Sequence, residues 1–341
     1  MTDKFGYYFA NGLKSYSKLE CMELGRTTFH FNDEVFSSID TTKEPDEPLK
    51  KLYIERCRQI RNAYDYVVLM YSGGSDSTNI LDHFIAADCK IDEICTTWDF
   101  PTTGLLQSFH NAEITNVVLP RIAHLETILD FKFRLVDLAP IIIDSIGKLG
   151  LSAEYYLNHH LSPNNVAKQF LREYIDDWKK IIESGKRLVL VWGIEKPLLN
   201  YKNGKYSLYF RDMIDNCVGP YTIAQSNHWH DELFYWTPDM PSIVIKQAHV
   251  LAHYAKLHNK PLSYEETKAI IYPTWKTDTF CNGKSRSMVY SARDEFFLKG
   301  NVLVSRYNDI VDSYYRQIND KTPIQNRVTM HPLATKEYPI C

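Results

Sequence analysis

No two cysteines in the 341 residues are spaced Cys-x-x-Cys, although seven are present, at positions 21, 57, 89, 95, 217, 281 and 341. Thiols dispersed in this way argue against the compact ligand sets of zinc fingers and iron–sulfur clusters. An odd count without a signal peptide leads us to expect a reducing cytoplasm. No apolar run approaches the roughly 20 residues of a membrane span, so no membrane partner is expected. Neither sign of charge dominates: 39 Lys and Arg against 42 Asp and Glu leave a formal net charge of −3. That balance gives no general nucleic-acid footprint, although a local basic face can hide in the average and RNA stays open as a substrate. The length fits about two domains, or one enlarged α/β domain, with enough chain for a sizeable core.

What is present is a buried-strand pattern joined directly to a glycine loop. Tyr66-Val67-Val68-Leu69-Met70-Tyr71 runs into Ser72-Gly73-Gly74-Ser75-Asp76-Ser77, and Ile80, Leu81, Phe84 and Ile85 then recur at helical spacing. The loop therefore opens onto a helix N-terminus, where unpaired N–H groups and the positive end of the dipole face an incoming polyphosphate. Glycines let the backbone approach phosphate oxygens, and the hydroxyls of Ser72, Ser75 and Ser77 can add donors. Asp76 would repel a phosphate directly, so a bridging Mg²⁺ is the natural partner. Two better-known loops do not fit. A Walker A loop needs a Lys that is absent here, and a Gly-x-Ser-x-Gly nucleophile elbow is broken by Ser77.

Ser72 to Ser77 resembles the Ser-Gly-Gly-x-Asp-Ser signature of the PP-loop, or N-type, ATP pyrophosphatases. The resemblance implies ATP and Mg²⁺ as cofactors, cleavage between the α and β phosphates, an adenylated acceptor, and displacement of AMP by a nucleophile. It also implies an α/β fold: a doubly wound parallel sheet of Rossmann-like type with helical N-terminal and C-terminal additions. The expected divisions are an N-terminal extension over 1–62, an ATP pyrophosphatase core over 63–200 and an acceptor-binding region over 201–341. The nearest analogy is the synthetase domain of asparagine synthetase. The glutaminase domain usually fused upstream of it uses an N-terminal Cys, whereas here Thr2 follows Met1, the first Cys is Cys21 and 1–62 is too short. Ammonia made by the same chain is not expected.

The alternation continues with strands expected over Ile91–Trp98, Phe131–Val136 and Arg187–Trp192. Helices are expected over Lys50–Arg61, Leu105–His124 (interrupted at Pro120), Ala139–Lys148 and Ser242–His258, with 150–184 largely helical and a β-like segment at Tyr206–Phe210. In PP-loop folds the strand after the third commonly lies beside the first, so Gly193-Ile194-Glu195-Lys196-Pro197 would face Ser72 to Ser77. The synthetase branch carries Gly-x-Gly-x-Asp-Glu in this loop; by that resemblance Glu195 would join Asp76 on Mg²⁺, whereas Lys196 departs from the pattern and its charge would neutralise phosphate instead; a solvated turn ahead of Pro197 is the other reading. Thr97 and Trp98, at the end of the second strand, occupy the position where relatives bind adenosine, although Trp98 can equally be plain core. Lys276, with Lys284 and Arg286, lies in the region from which such synthetases cover the β and γ phosphates, or in a solvated basic loop.

Asp212 and Asp215 could read an amine or bind metal, but read more simply as surface carboxylates. His249 and His253 stand four apart on a helix without the Glu of a zinc-protease helix, and His159-His160 and His228-Trp229-His230 complete no ligand set. All are read as packing or surface residues.

The functional expectation is an AMP-forming ligase in which an acceptor carboxylate or carbonyl oxygen is adenylated and an amine or ammonia displaces AMP. One alternative is a sulfonucleotide reductase-like redox enzyme using Cys341, though the Glu-Cys-Gly-x-His context is missing; another is a noncatalytic adenine-nucleotide-binding protein. The acceptor and the oligomeric state are not legible.

Overall fold

The computed structural model describes residues 3–16, 18–98, 114–137, 141, 171, 174–193, 196–212, 228–272 and 333–340. The N-terminal extension contains three short antiparallel strands, β1 (Tyr7–Ala10), β2 (Leu13–Ser15) and β3 (Thr28–His30), in the order β2-β1-β3. Helices α1 (Lys18–Leu24) and α2 (Asp33–Ser38) accompany them. This corrects the expectation of a helical addition. Strands of three or four residues are too short to show a period of two. Their sequence signal is Asn11-Gly12, both at positive φ (45° and 86°), as a two-residue hairpin turn requires.

Helix α3 (Leu49–Ala63) leads into the core through β4 (Tyr66–Met70), α4 (Ser75–Ala86), β5 (Glu93–Trp98), α5 (Leu119–Leu125), β6 (Lys132–Asp137), α6 (Asp176–Glu183) and β7 (Leu188–Trp192). A π-helical stretch, Ile114–Val118, runs directly into α5, and Pro120 lies in the first turn of α5, where the helix type changes, so the expected interruption at Pro120 is a change from π to α winding within one helical run. The antiparallel hairpin β8 (Leu198–Lys202) and β9 (Lys205–Tyr209) follows, then β10 (Trp229–Leu233), α7 (Ser242–His258), α8 (Tyr264–Ile271) and the short β11 (Tyr338–Pro339), which pairs with β9.

Strands β10-β7-β4-β5-β6 form one five-stranded sheet with every pairing parallel. Its centre consists of continuous apolar runs because both faces are covered: Val67–Met70 and Leu188–Trp192 are buried throughout. The flanking helices make this an α/β arrangement compatible with a doubly wound sheet. Chain order reverses beside β4, with β5 and β6 on one side and β7 and β10 on the other. A crevice at the carboxyl ends of β4 and β7 is where such a sheet accepts ligands.

Register brings those ends level. Tyr66 pairs with Leu188 and Met70 with Trp192, and Leu233 in turn pairs with Trp192, so the chain leaves β4, β7 and β10 at one height. The last strand comes from beyond residue 200. It is locked by an ion network in which Arg56 of α3 donates to Glu232 Oε2 (2.6 Å) and to the Leu233 carbonyl (3.1 Å), while Lys4 and the Tyr64 hydroxyl donate to Glu232 Oε1. Burial alone would push Glu232 up, but the charges of Arg56 and Lys4, with the hydrogen bonds from Lys4 and Tyr64, hold it below the usual glutamate range.

Asp212 is not a surface carboxylate: it is buried, accepting from the Tyr8 hydroxyl (3.0 Å) and the Leu333 N–H, and so joins the N-terminal sheet to the C-terminal segment. Among the described residues no helix is long and apolar enough to cross a membrane.

Candidate functional site

The loop after β4 turns at Gly73, whose φ of 76° is open to glycine and strained for any side chain. Helix α4 begins at Ser75 with Gly74 as its N-cap, and among the described residues no side chain caps it. Its first internal bond is Thr78 N–H to the Gly74 carbonyl (2.9 Å), so the N–H groups of Ser75, Asp76 and Ser77 precede the helical ladder. The Ser77 hydroxyl is turned inward: it accepts from the Ser72 N–H (3.2 Å), donates to the Gly74 carbonyl (3.3 Å) and lies 3.2 Å from Ser72 Oγ. It therefore braces the loop. Ser72 is exposed and Asp76 half-buried, which leaves the outer edge of the loop toward solvent while Ser75 and Ser77 pack inside.

Gly193, the residue after β7, meets this loop directly. A Cβ built there would stand 3.1 Å from the Ser77 nitrogen and 3.2 Å from the Asp76 carbonyl carbon, so glycine is what lets the second loop close on the first. Three residues after Gly193, Lys196 Nζ reaches both carboxylate oxygens of Asp76, at 2.7 and 2.9 Å. Strand β5 runs on past the end of β4, and its Cys95 carbonyl and Thr96 hydroxyl bond the Tyr71 backbone at 2.8 Å each, so Thr97 and the Trp98 backbone also stand at this end of the sheet.

Tyrosines from the C-terminal half complete the surround of Asp76. The Tyr272 hydroxyl donates to Asp76 Oδ1, and the Tyr235 hydroxyl donates to the Asp76 backbone carbonyl (2.8 Å) while accepting from Asn79 Nδ2 (2.9 Å). Behind them Tyr53 donates to the Ile271 carbonyl and accepts from Gln247, both at 2.8 Å. Burial first, and the nearby Asp76 carboxylate as well, raise Tyr53, Tyr235 and Tyr272 well above an ordinary phenol, so all three are fixed donors at neutral pH. Tyr235 and Tyr272 were not among the residues picked from sequence. Each follows a regular element, β10 and α8, but only the fold carries them to Asp76. Tyr272 does open the segment that the resemblance places over the phosphates.

The carboxylate of Asp76 is thus fully engaged, with Lys196 and Tyr272 on Oδ1 and Lys196 and Ser75 Oγ (3.3 Å) on Oδ2. Mg²⁺ usually keeps several waters and takes one or two carboxylates besides substrate phosphates, so at this loop it would have to share Asp76 with Lys196 or take it over, the ammonium of Lys196 being the positive partner that Asp76 has here. Glu195, Lys276, Lys284, Arg286, Asp215 and Cys341 lie outside the described residues, as does the Trp98 side chain.

A cleft of about 550 Å³ is lined by Pro197, Leu199, Tyr206, Leu251, Lys256 and Thr267, and Pro197 follows Lys196 in the chain. Its walls include β8 and α8, and the residues flanking those elements, Lys196 and Tyr272, are the two that hold Asp76. No protein-family model matches the chain, and no curated protein matches it either.

Proposed function

We propose that this protein is an ATP pyrophosphatase that adenylates an acceptor carboxylate or carbonyl oxygen and passes it to an amine or ammonia. The observation that carries the reading is the meeting of two loops at one sheet end: Gly193 packs on Asp76 and Ser77, and Lys196 pairs with Asp76. In this reading the α4 N-terminus and Ser72 receive the phosphates, and Lys196 exchanges Asp76 for the charge that builds on departing pyrophosphate. The acceptor oxygen attacks the α-phosphorus as the bond from that phosphorus to the bridging oxygen breaks. The amine then attacks the acyl carbon, AMP leaves, and the amine proton passes to solvent.

The half-apolar cleft beside Lys196 is where the acceptor would lie, so most of the protein's contribution is positioning. A redox reading gains nothing from the described thiols. Burial raises Cys21, Cys57, Cys89 and Cys95, the opposite of what a reactive thiolate needs.

The test is incubation of the protein with α-labelled ATP and a cell extract, with separation of nucleotide products. AMP with stoichiometric pyrophosphate, lost in Asp76→Asn, is expected. ADP as sole nucleotide product, or equal turnover by the variant, contradicts the mechanism, and ATP binding without turnover would make the protein a nucleotide sensor.

A further inference from the structure

Away from the loop, His249 and His253 occupy successive turns of α7 and share one face, with ring centroids 5.9 Å apart. The sequence around them offers no third ligand. The fold supplies one from 205 positions earlier: Glu44, in the segment between α2 and α3, places Oε2 3.4 Å from His253 Nδ1. One donor atom from each of Glu44, His249 and His253 lies within 4.8 Å of the other two. In a tetrahedral zinc site, bonds of about 2.0–2.2 Å separate neighbouring donors by roughly 3.3 Å, which is the spacing Glu44 and His253 already have.

The surroundings also orient the ligands. His249 Nε2 stands 2.9 Å from the Thr41 carbonyl, an acceptor only, so that nitrogen carries the proton and Nδ1 keeps its lone pair. A ligating histidine that donates its other N–H to a carbonyl is the usual second partner arrangement at zinc. Glu44 is held in the same way: Oε1 accepts from Lys246 Nζ (2.7 Å), which also donates to the Pro45 carbonyl (2.8 Å), and this leaves Oε2 toward His253.

We infer that Glu44, His249 and His253 form a three-ligand site for a borderline divalent cation of the zinc class, with its fourth position left to water. Two imidazoles and one carboxylate suit Zn²⁺ better than Mg²⁺ or Ca²⁺, which prefer oxygen alone. The bound ion would clasp the segment before α3 onto α7. Thr41 of that segment donates its hydroxyl to the Pro339 carbonyl, so the clasp would also steady β11. This site is independent of the adenylation reading.

The test uses the full-length chain stripped of metal and titrated with Co²⁺, then with Zn²⁺, alongside thermal unfolding. One Co²⁺ per chain with the visible absorption of a four-coordinate site, its displacement by Zn²⁺ and a Zn²⁺-dependent rise in Tm are expected. His253 is more than half exposed, so His253→Ala should fold normally and lose roughly 100-fold or more in Zn²⁺ affinity, with Glu44→Gln as the second variant. No binding by the unaltered chain, or equal binding by both variants, overturns the assignment.

Discussion

Two carboxylate–cation pairs brace the sheet and differ in how completely they are built. Arg56 and Glu232 are almost sealed, with side-chain exposures of 2% and 3%, and Glu232 is further bonded by Lys4 and Tyr64. Lys196 and Asp76 keep 11% and 17%, and the lysine is a flexible point charge where the other pair uses a planar guanidinium. The sealed pair joins α3 to β10 and has no reason to open. The looser pair ties the glycine loop to the segment after β7, and in the proposed function its cation exchanges one anion for another. On that proposal, burial and ligation, more than the mere presence of an ion pair, distinguish the structural contact from the functional one.

The largest expected effect breaks the sealed pair. Arg56→Met leaves Glu232 buried with a weaker partner set and should cost about 3–5 kcal/mol, read as a fall in urea midpoint. Because Glu232 is held below its unfolded pKa, its contribution is present at neutral pH and is lost as pH falls through that lowered value. Lys196→Met should reverse the balance. It should destabilise the fold less than half as much as Arg56→Met, yet lower pyrophosphate release by roughly 10²–10³-fold, as loss of one charge-stabilising donor does. If the two variants are equally destabilised and equally inactive, the distinction between the pairs fails. Gly193→Ala is a finer probe. The new methyl meets backbone at 3.1 Å, so one loop must shift by tenths of an ångström, and turnover should fall by up to about 10²-fold while the unfolding midpoint stays near that of the unaltered chain.

Much of the sheet was legible because its signals are local. Continuous apolar runs marked β4 and β7, and Gly73-Gly74 marked the turn between strand and helix; α3 and α7 were visible from their period. The facing of Gly193 and Ser77 was expected only through the PP-loop resemblance, which implies that the strand after the third lies beside the first, together with the rule that ligand loops meet where strand order reverses. The rest depends on contacts between distant parts of the chain. Tyr235 and Tyr272 reach Asp76 across 159 and 196 positions, and no local pattern distinguishes them from other core tyrosines. Asp212 reads as a surface acid until Tyr8 is placed over it, and His249 and His253 lack a third ligand until Glu44 is brought to them. The N-terminal strands were missed for a different reason: a strand of three residues has no measurable period, and only its Asn-Gly turn speaks for it.

The central claim is reversible adenylation at the loop, and its most direct measure is exchange of labelled pyrophosphate into ATP in the presence of a cell extract supplying the acceptor. Label should enter ATP with the unaltered protein and not with Lys196→Met or Asp76→Asn. Release of ADP and phosphate without any exchange would contradict the account.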